Sequence, residues 1–275
     1  MVVAAGPFTT CDDLSFEPLA ALLDACRAAP PDLLLLLGPF LDAGHPLVAG
    51  GLLEDTFQGI YESAVLARLA AYEAAVGGAT KVVLMPSTRD VHAAPVFPQP
   101  PLAPAPGVAA SLANPSTFRS NEVVVGATSA DWLMAATREE VSRAGPGAPA
   151  DRLPAMAAHV VAQRSFFPLY PPPLGAMLDT SHGDALGLPC TPDLLVLPSD
   201  LAPFAKLIPV PRVDGACPRA GGEEEGRVVA LNPGRLTKGS TGERASEPRG
   251  GRRGATRLPL ARHTMTVDTS DIARA

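Results

Sequence analysis

Two pairs of acidic and imidazole side chains are the residues of this sequence best suited to metal chemistry. Asp42 and His45 lie three positions apart and Asp90 and His92 two apart, each pair soon after an apolar run. Either pair could supply two ligands, but a catalytic divalent-metal centre needs further donors around a shared water. Aspartates in loops also accept hydrogen bonds from neighbouring backbone amides. We therefore interpret Asp42 and Asp90 as structural residues and predict no bound cofactor or metal.

No other pattern in the sequence assembles a catalytic or nucleotide-binding group. The four cysteines are scattered and form no CxxC pair, so neither a zinc site nor a disulfide framework is predicted. The sequence also lacks a GxSxG nucleophile elbow and the GxxxxGK[ST] and GxGxxG phosphate loops. It therefore carries none of the motifs that would indicate a serine hydrolase or a nucleotide-binding protein.

Short apolar strands are the elements that would position any such residues. Continuous apolar runs, each followed by glycine or proline and a polar loop, predict strands that are buried on both faces. These runs cover 2–5, 33–37, 82–85, 123–125, 194–197 and 228–231. Apolar residues at helical spacing predict helices over 17–28, 57–76 and 151–164. The alternation indicates an α/β fold, in which functional loops gather at the carboxyl ends of the strands.

The composition indicates a packed domain with a protein partner. Hydrophobic residues make up 47% of the chain and charged residues 18%, which is typical of a globular core. The net charge is −6, whereas a domain that grips DNA by itself usually carries a positive field. The longest purely apolar run, 33–37, is far too short to span a bilayer. We therefore expect no membrane association and no autonomous DNA binding.

Six strings, taken together and in this order, carry a family resemblance. They are VAAGPFTT, GPFLDAGH, PSTRDVHAAPVFPQPP, RSFFPLYPP, TPDLLVLPSDLAPF and NPGRLTKG. Residues 2–239, which contain them, resemble the B subunit of eukaryotic DNA polymerase α–primase. The resemblance implies a calcineurin-like metallophosphoesterase fold, a β-sandwich flanked by helices that is α/β in class, or α+β in some schemes. Archaeal relatives with this fold are active metal-dependent nucleases.

The resemblance also implies that the metal ligands of this fold are lost. The ligand positions of active relatives would fall on Ala5, Pro7, Pro39, Thr88, Arg89, Ser199 and Leu201. Alanine, proline and leucine side chains have no lone pair for a metal, and an arginine places a permanent cation beside it. Without metals there is neither an activated water nor a Lewis acid. We therefore expect a catalytically inactive chain.

An assembly role follows from the same resemblance. In the family, this subunit holds the C-terminal domain of the catalytic subunit of DNA polymerase α and links it to the primase subunits during replication initiation. We therefore expect a nuclear protein whose contact with DNA is mostly indirect. Aromatic rings beside stiff prolines give contact area at little entropic cost, and the candidate partner contacts are Phe97, Phe166, Phe167 and Tyr170. The alternative is that these rings pack inside their own domain.

Domain boundaries are also predicted from the resemblance and from composition. Residues 1–239 are assigned to the inactive phosphoesterase domain, with a long surface loop at 93–120 and an insertion at 212–227. Residues 240–275 are polar, glycine-rich and locally basic, so we predict a disordered tail. The oligonucleotide-binding domain that normally accompanies this fold in the family is expected to be absent from the sequence.

Two further hypotheses stay open from the sequence. One is an active metallophosphoesterase with a non-standard ligand set built from Asp42, Asp90 and His92. The other is the equivalent accessory subunit of another replicative polymerase, δ or ε. The GPFLD and NPGRLTKG strings fit the α type better than either of these.

Overall fold

The computed structural model describes residues 1–141, 151–211 and 225–237, together with the two residues 265–266. Most of the predicted insertion at 212–227 and of the predicted tail at 240–275 lies outside the described residues. Of these two segments, 225–227 and 265–266 belong to strands. Across the described parts of the chain, no helix combines the length and the apolarity needed to cross a membrane.

Two five-stranded sheets form the frame of the molecule, with strands numbered along the chain. In the first sheet, the order is β10-β1-β2-β3-β4, and its strands are β1 (Val2–Ala5), β2 (Leu33–Leu37), β3 (Lys81–Met85), β4 (Ala110–Ser111) and β10 (Met265–Thr266). In the second sheet, the order is β5-β6-β7-β9-β8, and its strands are β5 (Ser116–Ser120), β6 (Val123–Ala127), β7 (Leu194–Val196), β8 (Phe204–Pro211) and β9 (Glu225–Asn232). The strands from β1 to β4 run parallel, as do β6, β7 and β9, whereas β10, β5 and β8 are antiparallel edge strands.

Helices occupy the connections between the strands. They are α1 (Glu17–Ala28), α2 (Pro46–Ala49), α3 (Phe57–Ile60), α4 (Ala67–Val76), α5 (Trp132–Glu139) and α6 (Arg152–Ala162), with a 3₁₀ segment at Thr180–Leu186. A π-helical turn, Tyr61–Leu66, joins α3 to α4. The predicted helix 57–76 is therefore one continuous helical stretch. The Thr56 hydroxyl caps its start, and Gly77 ends it in the left-handed region with φ of 62°.

The two sheets pack face to face because their interior strands have two apolar sides. Successive side chains point to opposite faces of a strand. In β2, Leu35 and Leu37 point between the sheets and Leu34 and Leu36 point outward. The outer face of the first sheet is covered by α1 and the 57–76 helix, and that of the second sheet by α5 and α6. The molecule is a mixed α/β structure, and the predicted fold class is confirmed at that level.

The segment 93–120, predicted to be a long surface loop, is irregular over most of its length. It contains β4 and β5, and two of its polar side chains are buried, Gln99 at 2% exposure and Asn114 at 0%. Proline-rich sequence did predict irregular backbone, but it could not show that this backbone crosses the end of the sheets. Sequence patterning also missed α5 and the edge strand β8.

Gly6 marks the closest approach of the loops that follow β1 and β2. Its N–H donates to the Leu37 carbonyl at 2.8 Å, and a Cβ at this position would lie 2.1 Å from the Pro39 carbonyl oxygen. Gly6→Ala should therefore lower the free energy of unfolding by about 2–3 kcal/mol, because backbone must shift to relieve the overlap. Urea denaturation followed by circular dichroism measures this change.

Gly183→Ala is the matched control. Nothing lies within 4 Å of a Cβ at that position, so this variant should unfold within about 0.5 kcal/mol of the wild type. Equal unfolding midpoints for the two variants would contradict the close approach at Gly6.

Candidate functional site

The carboxyl ends of the parallel strands in both sheets meet at one end of the sandwich. The N–H of Leu236, after β9, donates to the Ala5 carbonyl at the end of β1 at 2.8 Å. The Ser129 hydroxyl, after β6, donates to the Pro86 carbonyl after β3 at 2.6 Å. These bonds bring the loops of the two sheets together, as expected for the functional end of an α/β fold. We call this group the strand-end loops, and they form the candidate site.

All seven positions predicted to match lost metal ligands lie in or beside the strand-end loops. Ala5, Pro7 and Pro39 are buried and Thr88 is half-buried. Ser199 is fully buried, and its hydroxyl accepts the Leu201 N–H at 3.2 Å. The Leu201 side chain packs against the core beneath α5 and α6. The Ser199 hydroxyl, which is fully buried, is thus hydrogen-bonded within its own turn.

Arg89 occupies the remaining one of these seven positions, and its guanidinium pairs with the carboxylate of Asp42. Arg89 Nε donates to Asp42 Oδ1 at 3.2 Å, and its Nη2 donates to Oδ2. The Gly44 N–H donates to Oδ1 as well, at 2.9 Å. The carboxylate side chain is 2% exposed, so the paired guanidinium neutralises a buried charge. Both carboxylate oxygens of Asp42 therefore already accept hydrogen bonds, and a permanent cation lies where a metal ion would have to bind.

Asp90 is fully buried and joins the loops that follow β2 and β3. Its Oδ1 accepts the N–H groups of Phe40 at 2.5 Å and Leu41 at 3.1 Å, and its Oδ2 accepts the Ser87 N–H at 2.8 Å. Burial raises the pKa of Asp90 to about 7, although the three amide donors act in the opposite direction. The predicted structural role of Asp90, accepting loop amides, agrees with these contacts.

His92 lies in the same buried cluster without a hydrogen bond. Its ring stacks on Tyr61, with centroids 4.0 Å apart and planes 19° apart. Nδ1 is 3.9 Å from Asp90 Oδ1, and neither ring nitrogen has a hydrogen-bonding partner among the described residues. Burial lowers the pKa of His92 to about 4, so the imidazole is neutral near pH 7.

His45, the other candidate imidazole, has both ring nitrogens occupied. Its Nδ1 accepts the Leu47 N–H at 3.2 Å and so caps α2. Its Nε2 lies 2.9 Å from the Thr10 carbonyl and 3.2 Å from the Asp13 carbonyl, which requires the proton on Nε2. His45 is therefore a structural cap and is not oriented towards Asp42.

A network of neutral side chains fills the space between the two sheets at this end. Asn114 Nδ2 donates to Gln99 Oε1 at 2.8 Å and to Ser129 Oγ at 2.7 Å. Asn114 Oδ1 accepts the Thr128 hydroxyl at 3.0 Å and the Ser129 N–H at 3.1 Å. Gln99 Nε2 donates to the Ser87 carbonyl at 3.0 Å. Sequence reasoning missed this network, because its members are separated along the chain and carry no charge.

A second polar cluster ties the loop after β9 to the loop after β7. Asn232 Oδ1 accepts the N–H groups of Ser199 and Gly234, both at 2.9 Å. The Arg235 side chain is 4% exposed, and its Nε donates to Asp200 at 3.0 Å. Arg235 Nη2 lies 3.5 Å from Asp131, the residue that caps α5. The NPGR string thus fixes the conformation of the loops after β7 and β9. Its arginine pairs with the carboxylates of Asp131 and Asp200 in the same domain.

The structure does not bring Asp42, Asp90 and His92 together as a ligand set. Asp42 is paired with Arg89, and the Asp90 oxygens already accept three amide protons. Across the described ranges, no group of three His, Cys, Asp or Glu residues could hold a metal ion. The donor set at the strand-end loops therefore does not fit the two-metal centre of an active phosphoesterase.

The four aromatic residues predicted to be partner contacts differ in how much of each side chain is exposed. Phe97 is 5% exposed and Phe166 1%, so these two rings are packed inside the domain, which corresponds to the alternative stated for them. Phe167 is half-buried and packs on Phe97, with centroids 5.9 Å apart. Tyr170 is 93% exposed and stays a candidate. The proline-rich string therefore has a buried part and an exposed part.

The fold and these loops define a class of protein: a two-sheet α/β domain whose strand ends form a fixed surface of neutral and internally paired groups. Within that class, the family model for the B subunit of DNA polymerase alpha/epsilon matches residues 1–206, and the chain belongs to this family. The resemblance identified from the sequence strings is thereby confirmed.

Individual relatives agree with the family match. The B subunit of DNA polymerase alpha from Mus musculus is 34% identical over 250 residues, which cover 88% of this chain and 38% of that protein. The protein of the same name from Bos taurus is 34% identical over 214 residues, 75% of this chain and 35% of the relative. That of Schizosaccharomyces pombe is 31% identical over 252 residues, 86% and 40% respectively. The chain thus spans about two fifths or less of the length of these relatives.

The buried imidazole of His92 makes stability depend on pH. Between pH 6.5 and about 4 the unfolded chain binds a proton at His92 that the folded chain does not, so the free energy of unfolding should fall as pH is lowered through this window. Asp90, with its pKa raised from 3.8 to about 7, acts oppositely and loses its contribution as pH rises through that range. A variant of His92 separates the two effects.

His92→Phe keeps a ring against Tyr61 and removes the titration. Relative to this variant, the wild type should lose stability between pH 7 and pH 5, measured as the difference in urea midpoints at each pH. Parallel pH profiles for the two proteins would show that His92 does not titrate as its burial requires.

Asn114 should be the most sensitive member of the neutral network. Asn114→Ala removes the hydrogen bonds that Asn114 makes to Gln99 Oε1, the Thr128 hydroxyl and the Ser129 N–H, and we expect a loss of about 3 kcal/mol in the free energy of unfolding. The control is Asn121→Gly, at an exposed position with φ of 53°, where glycine is well tolerated and little change should follow. If Asn114→Ala unfolds at the wild-type urea concentration, the network does not hold the sheets together.

Proposed function

We propose that this chain is a non-catalytic accessory subunit of DNA polymerase α–primase. It binds the C-terminal domain of the catalytic subunit, is connected through it to the primase subunits, and supports the initiation of DNA replication in the nucleus. The names of the relatives, each of them the B subunit of DNA polymerase alpha, support this assignment. They also favour the α complex over a complex of polymerase δ or ε.

The observation that carries the non-catalytic part of the proposal is that Asp42 and Asp90 are already hydrogen-bonded within the protein. Asp42 is bound by Arg89 on one side and the Gly44 amide on the other. Asp90 accepts three backbone amides at 2.5–3.1 Å. A divalent ion would have to displace these donors and also lie beside the Arg89 guanidinium, whose positive charge repels it. The active-enzyme hypothesis based on Asp42, Asp90 and His92 therefore receives less support.

The domain proposed here is an inactive calcineurin-like phosphoesterase domain that spans residues 1–239. The two-sheet frame with helices outside supports this, as does the position of the substituted residues at the ends of β1, β2, β3 and β7. What remains at these strand ends is a surface with a fixed shape, because its loops are tied by buried hydrogen bonds. A fixed surface suits a subunit that positions other proteins.

A net charge of −6 supports indirect contact with DNA. The subunit would reach DNA through the polymerase and primase it holds. We place no phosphate-binding surface on the described residues.

Co-expression with the C-terminal domain of the polymerase α catalytic subunit tests the assembly role. The two proteins should co-elute in size exclusion as a complex of equal stoichiometry, and the corresponding domain of polymerase δ should not co-elute. A folded chain that elutes separately from the α domain would refute the assembly role.

Activity is tested separately on the same preparation. With added manganese, cleavage of a generic phosphodiester should stay at the level of Asp42→Asn, a variant that keeps an oxygen for Arg89. Cleavage clearly above that level, with manganese bound by elemental analysis, would refute the non-catalytic role and leave the assembly result untouched.

A further inference from the structure

Three large apolar side chains project from one short stretch of the surface. Tyr170 is 93% exposed, Leu174 107% and Met177 61%. They lie within eight residues of each other, in a chain where most large apolar side chains are buried. We call these three residues the apolar protrusion. Exposed apolar groups clustered in this way mark interaction sites more often than scattered ones do.

The base of the protrusion is anchored in the domain. The Phe97 N–H donates to the Met177 carbonyl at 2.8 Å, and the Asp179 N–H donates to the Phe97 carbonyl at 2.8 Å. Phe167 packs its ring on Phe97, and Phe166, the preceding residue, is buried in the core. The exposed residues therefore sit between two fixed points and are not a frayed end.

The tip of the protrusion has limited conformational freedom. Three consecutive prolines precede Leu174, and proline restricts φ. The Ala176 N–H donates to the Pro173 carbonyl at 3.0 Å, and Gly175 has φ of 88°, which closes a tight turn. A preformed apolar tip loses little entropy on binding.

The absence of charged side chains around the protrusion indicates what kind of partner it fits. Residues 165–178 contain no charged side chain. Arg164, at one end, donates from Nη2 to the Leu188 and Pro189 carbonyls, and Asp179, at the other, accepts from Ser181. Nucleic acids and anionic membranes are bound through basic residues, which this stretch lacks. An uncharged, convex, apolar tip is complementary to an uncharged apolar groove on another protein.

We propose that Tyr170, Leu174 and Met177 insert into an apolar groove on the C-terminal domain of the polymerase α catalytic subunit. This rests on the proposed function, which supplies the partner. The fixed base determines where the three side chains point, and the partner's groove removes them from water. The prediction for Tyr170 as a partner contact is thus extended to Leu174 and Met177, which the sequence strings did not single out.

The test uses the full chain with all three residues changed to serine: Tyr170→Ser, Leu174→Ser and Met177→Ser. Because these side chains are exposed, the thermal midpoint should not change. Affinity for the C-terminal domain, measured by biolayer interferometry, should fall at least about tenfold. Leu52→Ser, which removes a 71% exposed leucine elsewhere, should bind as the wild type does. The swap Leu174→Met with Met177→Leu keeps the apolar area and should also retain binding.

The other possible outcomes contradict the proposal, and they distinguish failure of this contact from failure of the proposed function. If the wild type binds and the triple serine variant binds equally well, the protrusion is not the contact, and the proposed function stands. If the wild type does not bind, the proposed function itself fails and this contact with it. If light scattering shows that the wild type alone dimerises and the triple variant does not, the groove belongs to a second copy of this chain, and the assignment to the catalytic subunit is overturned.

Discussion

The carboxylate of Asp90 is the group on which the geometry of the strand-end loops depends. It is completely enclosed, and it accepts backbone protons from the loop after β2 and the loop after β3 at the same time. Buried amide groups need partners, and here a single side chain satisfies three of them. The close contact of Gly38 with Asp90, where a Cβ would lie 2.4 Å from Oδ2, belongs to the same arrangement.

Other polar side chains at this end connect the strand-end loops of the first sheet to those of the second and connect the loops of the second sheet to each other. Gln99 and Asn114 connect the loop after β3 to Ser129 after β6, while Asn232 connects the loops after β7 and β9. Arg89 and Arg235 are both used to neutralise carboxylates of this chain. These polar side chains at this end are thus bound to other groups of the same chain.

How far the sequence predicted the structure depended on the type of pattern. The interior strands β1, β2 and β3 were predictable because burial on both faces requires continuous apolar residues. The edge strand β5, with the polar sequence STFRS, was not, because its side chains at the periphery of the sheet are only half-buried or exposed and need no apolar run. The helix α5 was also missed, although Asp131 before it is a standard N-cap residue.

The site was predictable only in part, and for a related reason. Spacing placed Asp42 and Asp90 in loops and gave them a structural role, since aspartates accept nearby amide protons. The partners of Asn114 lie up to 15 positions away and in different loops, and local patterns hold no information on such contacts. The same holds for RSFFPLYPP, where Phe166 is buried and Tyr170 exposed although their local sequence contexts are alike.

The neutral network around Asn114 has a consequence for how this end of the domain folds. Each of its hydrogen bonds is completed by atoms of the polypeptide itself, so this end of the sandwich can close without waiting for an ion to be captured. Structural metal sites, by contrast, couple folding to metal binding. A network closed by the chain's own atoms has no such dependence, so these loops reach their final arrangement as the two sheets pack together.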